Sequence, residues 1–164
     1  METQKKIRIG WFNFTCCEDS TIVMTEMMND HWQDWKKMFD FRHARVLKTK
    51  NVLDQMDIAF VEGAISSEKQ ANDLREIRKL ATLVVAIGAC ACTGMPTAQR
   101  NTFNEKQKEE IEFLLVRFAQ LPKVLKLADV IKIDAEVPGC PMDPKNFLEV
   151  VNKAVAQLSA GAKA

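Results

Sequence analysis

Five cysteines occupy three short segments of this 164-residue sequence, and each segment follows an apolar run. Cysteine thiolates that meet at one point are ligands for zinc or for an iron–sulfur cluster. An odd number of cysteines fits a disulfide framework poorly. The five are Cys16 and Cys17, Cys90 and Cys92, and Cys140.

The spacing of these cysteines favours a [4Fe–4S] cluster over a single zinc ion. Structural zinc sites usually use pairs at short C-x-x-C spacing, which is absent here. Adjacent Cys16 and Cys17 reach two irons of a cube-shaped cluster more easily than two positions around one ion. A zinc-binding or thiol-sensing protein stays open as an alternative. For Cys92 the simpler interpretation is a buried thiol that fills space.

Apolar runs separated by amphipathic stretches predict the elements that position these cysteines. Helices are expected from about Ser20 to Phe39, from a capping box at Ser67 and Gln70 to Leu80, and from a capping box at Asn104 and Gln107 to before Pro122. A last helix opens at Asp143 and Pro144. Strands are predicted at Ile7–Phe14, Phe41–Leu47, Asp57–Val61, Thr82–Ile87 (the expected sheet centre) and Val130–Ile133.

This alternation predicts an α/β fold, a flavodoxin-like, doubly wound and mostly parallel sheet with flanking helices. Loops that follow parallel strands leave the sheet at one edge, where ligands bind. The scattered cysteines should therefore converge there. We expect one [4Fe–4S]-binding domain over residues 1–164, with a frayed tail at 159–164.

Composition excludes several other classes. There are 23 basic and 22 acidic residues, a formal net charge of +1, so nucleic acid is not an expected partner. No apolar run is long enough to insert into a membrane, and the N-terminus lacks a signal sequence. The cytoplasm is the expected location. Neither a dinucleotide-binding nor a triphosphate-binding glycine motif is present.

Four segments around the cysteines and the central strands form one recognisable set. They are Phe14–Ser20 (Phe-Thr-Cys-Cys-Glu-Asp-Ser), Asp57–Ile65 (Asp-Ile-Ala-Phe-Val-Glu-Gly-Ala-Ile), Val85–Ala91 (Val-Ala-Ile-Gly-Ala-Cys-Ala) and Val137–Pro141 (Val-Pro-Gly-Cys-Pro). Together they resemble the signatures of [NiFe]-hydrogenase small subunits and of the related complex I subunit that holds the cluster nearest quinone. A fifth segment, Gly94–Asn101 (Gly-Met-Pro-Thr-Ala-Gln-Arg-Asn), is most similar to small subunits of soluble NAD-linked hydrogenases.

The resemblance implies that Cys17, Cys90 and Cys140 ligate one [4Fe–4S] cluster. Hydrogenase small subunits usually carry a cysteine where this chain has Phe14, whereas tandem cysteines are the pattern of the complex I relative. Cys16 is therefore taken as the fourth ligand, and Cys92 is held in reserve. No cysteine follows Cys140, so one cluster is expected from this chain.

The implied function is electron transfer as the small subunit of a cytoplasmic [NiFe] hydrogenase. Hydrogen chemistry would take place on a large partner subunit, and electrons would pass to iron–sulfur and flavin subunits that reduce NAD(P). Within the family, the rival is a complex I-like or membrane-bound hydrogenase module that delivers electrons to quinone or a membrane arm.

Three further predictions concern acidic residues and histidines. Glu62 should lie at the cysteine edge, where it either supports the loops, joins a proton path or is a solvated strand end. Glu18 is expected to cap the first helix, with a proton relay as the minor alternative. His31 and His43 lack metal-ligand spacing and are read as ordinary histidines.

Overall fold

A computed structural model describes residues 6–161 and contains one five-stranded sheet. All strands are parallel, in the order β2-β1-β3-β4-β5, so the predicted flavodoxin-like α/β fold is confirmed. The central strand is β3, not the run at Thr82–Ile87. The strands are β1 (Ile7–Asn13), β2 (Phe39–Ala44), β3 (Met56–Glu62), β4 (Ala81–Ile87) and β5 (Ala135–Val137).

Within residues 6–161, five α-helices lie between and after these strands. Helices α1 and α5 cover one face of the sheet, where Trp11, Phe60 and Phe147 share a buried core. Helix α2 covers the other face through Ala71 and Leu74. The helices are α1 (Asp19–Met38), α2 (Glu68–Leu80), α3 (Gly88–Thr93), α4 (Glu105–Arg117) and α5 (Pro144–Gly161).

The chain reverses its direction of winding between β1 and β3. It first moves from β1 to β2, and it then crosses back to β3 and onward to β4 and β5. Parallel sheets of this order bind ligands outside the carboxyl ends of the strands near that reversal. The loops after β1, β3, β4 and β5 therefore leave the sheet at a shared edge.

The prediction of a strand at Val130–Ile133 is wrong, because the last strand is Ala135–Val137. Asp134 marks the boundary: its N–H donates to the Val84 carbonyl, and its Oδ2 accepts from the Val84 N–H at 2.8 Å. The apolar side chains before it pack across the α2 face instead of pairing in the sheet.

The predicted helix caps are present, with one difference. Asn104 and Gln107 form a reciprocal capping box at the start of α4. Ser67 accepts from the Gln70 N–H, but the Gln70 side chain accepts from the N–H of Ser66, one residue before the cap.

Helix α4 has no buried residue, although its second half is apolar. Hydrogen bonds join the chain before α4 to the chain after it. The Asn101 side chain donates to the Val124 carbonyl and accepts from the Val124 N–H, both at 2.8 Å. Helix α4 therefore adds no buried side chain to the packing of the sheet.

The C-terminal helix continues to Gly161, so the first half of the expected frayed tail is helical. Residues 162–164 lie outside the described residues. Within residues 6–161, no helix combines the length and apolar character required to cross a membrane.

Candidate metal centre

Four of the five cysteines line one cleft at the carboxyl edge of the sheet. The loop after β1 supplies two of them, and the segments after β4 and β5 supply one each. Cys17 and Cys140 are exposed, Cys16 is half-buried and Cys90 is buried. These are the four residues that the sequence analysis selected as ligands.

The loop after β1 is held against the loop after β3 by backbone hydrogen bonds. The N–H of Thr15 donates to the Ala64 carbonyl at 3.0 Å, and the Ala64 N–H donates back at 2.9 Å. Gly63 makes this approach possible: its φ is +95°, and a Cβ there would lie 2.8 Å from the carbonyl carbon of Phe14. The bridge fixes the segment directly before Cys16.

Cys90 lies on the short helix α3, which begins where β4 ends. Gly88, at φ +79°, turns the chain out of the strand, and a Cβ on it would lie 2.9 Å from Ser20 Oγ. The Ala89 N–H then donates to the Gly139 carbonyl at 2.6 Å. This bond ties the Cys90 segment directly to the Cys140 segment.

The turn that carries Cys140 is fixed by its neighbours on both sides. Gly139 has φ +125°, and a Cβ on it would lie 2.5 Å from the Pro141 carbonyl oxygen, so another residue would be strained there. Met142 is fully buried, and its N–H donates to Ser20 Oγ at 3.2 Å. Ser20, at the start of α1, thereby connects the first and third cysteine segments.

Glu62 supports the start of α1 from the end of β3. It is only 3% exposed, so the alternative of a solvated strand end is wrong. Its Oε1 accepts from the Ser20 N–H at 3.1 Å, and its Oε2 accepts from the Thr21 N–H at 3.0 Å. A carboxylate is well placed there because the first N–H groups of a helix carry partial positive charge. The Thr21 hydroxyl and the Asn13 amide also donate to Oε2.

Glu18 does not cap α1 with its side chain. It occupies the N-cap position in the left-handed conformation (φ 65°), and its side chain makes no capping hydrogen bond. The expected capping role is thus taken by Glu62, which comes from a different element.

Cys92, the reserve ligand, lies outside the cleft. Residues two apart on a helix point roughly 200° apart around its axis. Cys90 therefore faces the cleft, while Cys92 is buried in the core on the α2 face, and its Sγ contacts the Ala86 carbonyl at 3.7 Å. Burial raises the pKa of Cys92 to about 12. This placement matches the interpretation of Cys92 as a space-filling thiol.

The half-buried position of Cys16 affects the pKa of its thiol. Burial, with a smaller contribution from the nearby Glu62 carboxylate, raises its pKa to about 12. In the metal-free chain it is a protonated thiol at neutral pH, and metal binding would release that proton.

The four sulfurs surround the cleft but do not form a single-ion cage. Among residues 6–161, no three His, Cys, Asp or Glu side chains lie close enough together to hold one metal ion. Four thiol donors on three separate segments are chemically suited to a larger thiophilic group such as an iron–sulfur cluster.

Sequence reasoning missed two residues that organise the cleft. Ser20 is buried, its Oγ accepts from the Met142 N–H, and its own N–H donates to Glu62. Thr97 Oγ1 lies 3.1 Å from Cys90 Sγ and 3.2 Å from the Thr15 carbonyl oxygen. Thr97 belongs to the segment Gly94–Asn101, whose pattern was recognisable but whose contacts were not. The histidines are not part of the cleft: His43 stacks on Phe12 with ring centres 4.4 Å apart.

This chain is similar in sequence to subunits of known redox enzymes. A family model for the 20 Kd subunit of NADH ubiquinone oxidoreductase matches residues 16–154. The delta subunit of the NAD-reducing hydrogenase HoxS of Cupriavidus necator is 30% identical over 166 aligned residues, which cover 92% of this chain and 79% of that protein. The delta subunit of sulfhydrogenase 2 of Pyrococcus furiosus is 22% identical over 148 residues, covering 88% of this chain and 60% of that protein.

Several further hydrogenase subunits match this chain over only 51% to 54% of their own length. The chain thus spans about half the length of those relatives. Among solved structures, a subunit of an NAD⁺-reducing [NiFe]-hydrogenase in the H2-reduced state superposes with a TM-score of 0.80 at 21% identity, covering 93% of both chains. At that identity the superposition establishes a shared fold.

Proposed function

Because this chain belongs to the family of the 20 Kd subunit of NADH ubiquinone oxidoreductase, we propose that it is an electron-transfer subunit that binds one [4Fe–4S] cluster in the cleft. The proposed complex is a cytoplasmic [NiFe] hydrogenase of the NAD-linked type. A large subunit would hold the nickel–iron site, and flavin and iron–sulfur subunits would exchange electrons with NAD(P).

The observation that carries this proposal is the convergence of four cysteines from three distant segments on one cleft. Cys16, Cys17, Cys90 and Cys140 would supply the four thiolate ligands. When bound, such a cluster accepts and releases one electron at a time. The likeness to a named subunit of an NAD-reducing hydrogenase supports the choice of complex.

The residues of this chain would hold and tune the group in specific ways. The hydrogen bonds of the Thr15–Ala64 bridge and of Ala89 to Gly139 fix the spacing of the three segments. Glu62 anchors the start of α1 behind Cys16 and Cys17. A proton path through Glu62 and Glu18 stays a prediction.

Metal analysis of the protein purified without oxygen tests the proposal. We expect a brown protein with about four irons per chain and an electron paramagnetic resonance signal after reduction. A colourless protein that contains zinc would instead establish the zinc-binding alternative.

Alanine substitutions test the ligand set. Cys140→Ala and Cys16→Ala should each lower the iron content markedly. Cys92→Ala is the matched control, because this cysteine lies outside the cleft and should be dispensable for iron. If Cys16→Ala keeps its iron and Cys92→Ala loses it, the assignment of the fourth ligand is wrong.

A second candidate within the family is favoured by the adjacent pair Cys16–Cys17. Such a subunit would pass electrons to quinone or a membrane arm. Identification of the subunits that purify with this chain separates the two: a flavin-containing NADH module supports the first proposal, and an antiporter-like membrane subunit supports the second.

A further inference from the structure

The hydroxyl of Thr97 lies between two of the cysteine segments. Its Oγ1 is 3.1 Å from Cys90 Sγ and 3.2 Å from the carbonyl oxygen of Thr15, the residue before Cys16. Thr97 is half-buried and opens the 3-10 turn Thr97–Thr102. The hydroxyl is therefore in contact with a proposed ligand and is shielded from full solvation.

This hydroxyl has one proton and two possible acceptors. The Thr15 carbonyl can only accept, and a cysteine sulfur bound to iron can also only accept. The proton therefore goes to whichever oxygen or sulfur carries the greater negative charge. Hydrogen bonds to charged acceptors are roughly twice as strong as those to neutral ones.

We propose that Thr97 is a positioning residue that donates its proton to Cys90 Sγ and raises the reduction potential of the cluster. This inference rests on the proposed function, since it requires Cys90 to be a ligand. Reduction adds one electron, part of whose charge resides on the ligand sulfurs. A donor fixed beside one sulfur stabilises the reduced state more than the oxidised state.

The turn that carries Thr97 is held in place without its hydroxyl. Gly94 ends α3 in the left-handed conformation, and its carbonyl accepts from the Ala98 N–H at 2.8 Å. At the other end of the turn, Asn101 forms two hydrogen bonds with the Val124 backbone, and Arg100 donates to the Leu121 carbonyl at 2.8 Å. Removing the hydroxyl should therefore change the bond to sulfur while the backbone stays in place.

The test compares Thr97→Val, which keeps the shape, with Thr97→Ser, which keeps the hydroxyl. The measurement is a redox titration of the cluster followed by electron paramagnetic resonance, on the protein purified without oxygen with its associated subunits. Thr97→Val should lower the equilibrium constant for reduction by up to about tenfold, a shift of about 59 mV to more negative potential for one electron. Thr97→Ser should titrate near the wild type.

Thr93→Val is the matched control. Thr93 lies on α3 as Cys90 does, but its hydroxyl is exposed and donates to the Ala89 carbonyl at 2.8 Å. Its substitution should leave the potential unchanged. Thr97→Ala provides a second variant without the hydroxyl and with less side-chain bulk.

The outcomes separate this inference from the proposed function. A wild-type protein without iron refutes the proposed function. A hydroxyl-free variant with full iron content and the wild-type potential refutes the role of Thr97. If both hydroxyl-free variants lose iron while Thr97→Ser and Thr93→Val keep it, the hydroxyl holds the cluster in place, and the tuning role is wrong.

Discussion

At the scale of single residues, the buried carboxylate of Glu62 links the central strand to the helix that follows the first cysteines. Four donors reach its two oxygens: the N–H groups of Ser20 and Thr21, the Thr21 hydroxyl and the Asn13 amide. Because Ser20 and Thr21 are buried, their N–H groups cannot turn to solvent if the acceptor is lost. The residue is therefore important to the fold whether or not it also moves protons.

Glu62→Gln should lower the free energy of unfolding by about 1–3 kcal/mol. The amide keeps one oxygen, but its NH2 group faces at least one donor, and a buried unsatisfied donor costs about 1–3 kcal/mol. Urea unfolding of the purified chain measures the effect. Glu149→Gln is the matched control: Glu149 is exposed on α5, and its substitution should change stability by less than about 0.5 kcal/mol. Equal stability of the two variants would contradict the structural role of Glu62.

At the scale of elements, helix α4 differs from the others because it has no buried residue. Phe113 on α4 is 63% exposed, whereas Phe147 on α5 is 3% exposed and packs against Trp11 and Phe60. The same residue type is thus in water on one helix and in the core on another. The two positions allow a direct comparison of what each helix contributes to folding.

Phe113→Ala should leave the free energy of unfolding within about 0.5 kcal/mol of the wild type, because little apolar surface is buried there. Phe147→Ala should cost about 3–5 kcal/mol, the usual range for a buried phenylalanine. Urea unfolding of both variants measures the difference. A large loss for Phe113→Ala would mean that α4 packs on the body of the chain in solution.

Elements were predictable from the sequence where local signals and tertiary contacts agree. The capping box at Asn104 places the start of α4 correctly, because both partners lie within one turn. The last strand was misplaced because the run at 130–133 is more apolar than Ala135–Val137. Whether an apolar run pairs in a sheet or packs across its face depends on distant contacts, here that of Asp134 with Val84.

At the scale of the whole molecule, the convergence of the cysteines was predictable because parallel winding brings the ends of distant strands to one edge. The interpretation of Cys92 as a space-filling thiol also came from the sequence. The orientation of the Cys90 and Cys92 side chains did not, because helix α3 is only six residues long and leaves no periodic pattern. In the helical conformation of α3, Cys90 faces the cleft and Cys92 faces the core.

The two large cores on the faces of the sheet contain only one of the five cysteines, Cys92. Cys90 lies in a separate small cluster with Ala64, Ala98 and Val124. The side chains that pack the helices against the sheet therefore do not include the four proposed ligands. A bound cluster would add stability by cross-linking the three segments, since a ligand that binds only the native state stabilises it.

Removal of iron with a chelator under reducing conditions should accordingly lower the urea midpoint and leave the far-ultraviolet circular dichroism at 25 °C close to that of the loaded protein. The Cys140→Ala chain is the control, because it should already lack iron: its midpoint should match that of the chelated wild type and should not respond to the chelator. Complete loss of the helical signal on chelation would mean that the fold depends on the metal. Retention of that signal would mean that the two cores are sufficient for the fold and that the cysteine edge is not required for it.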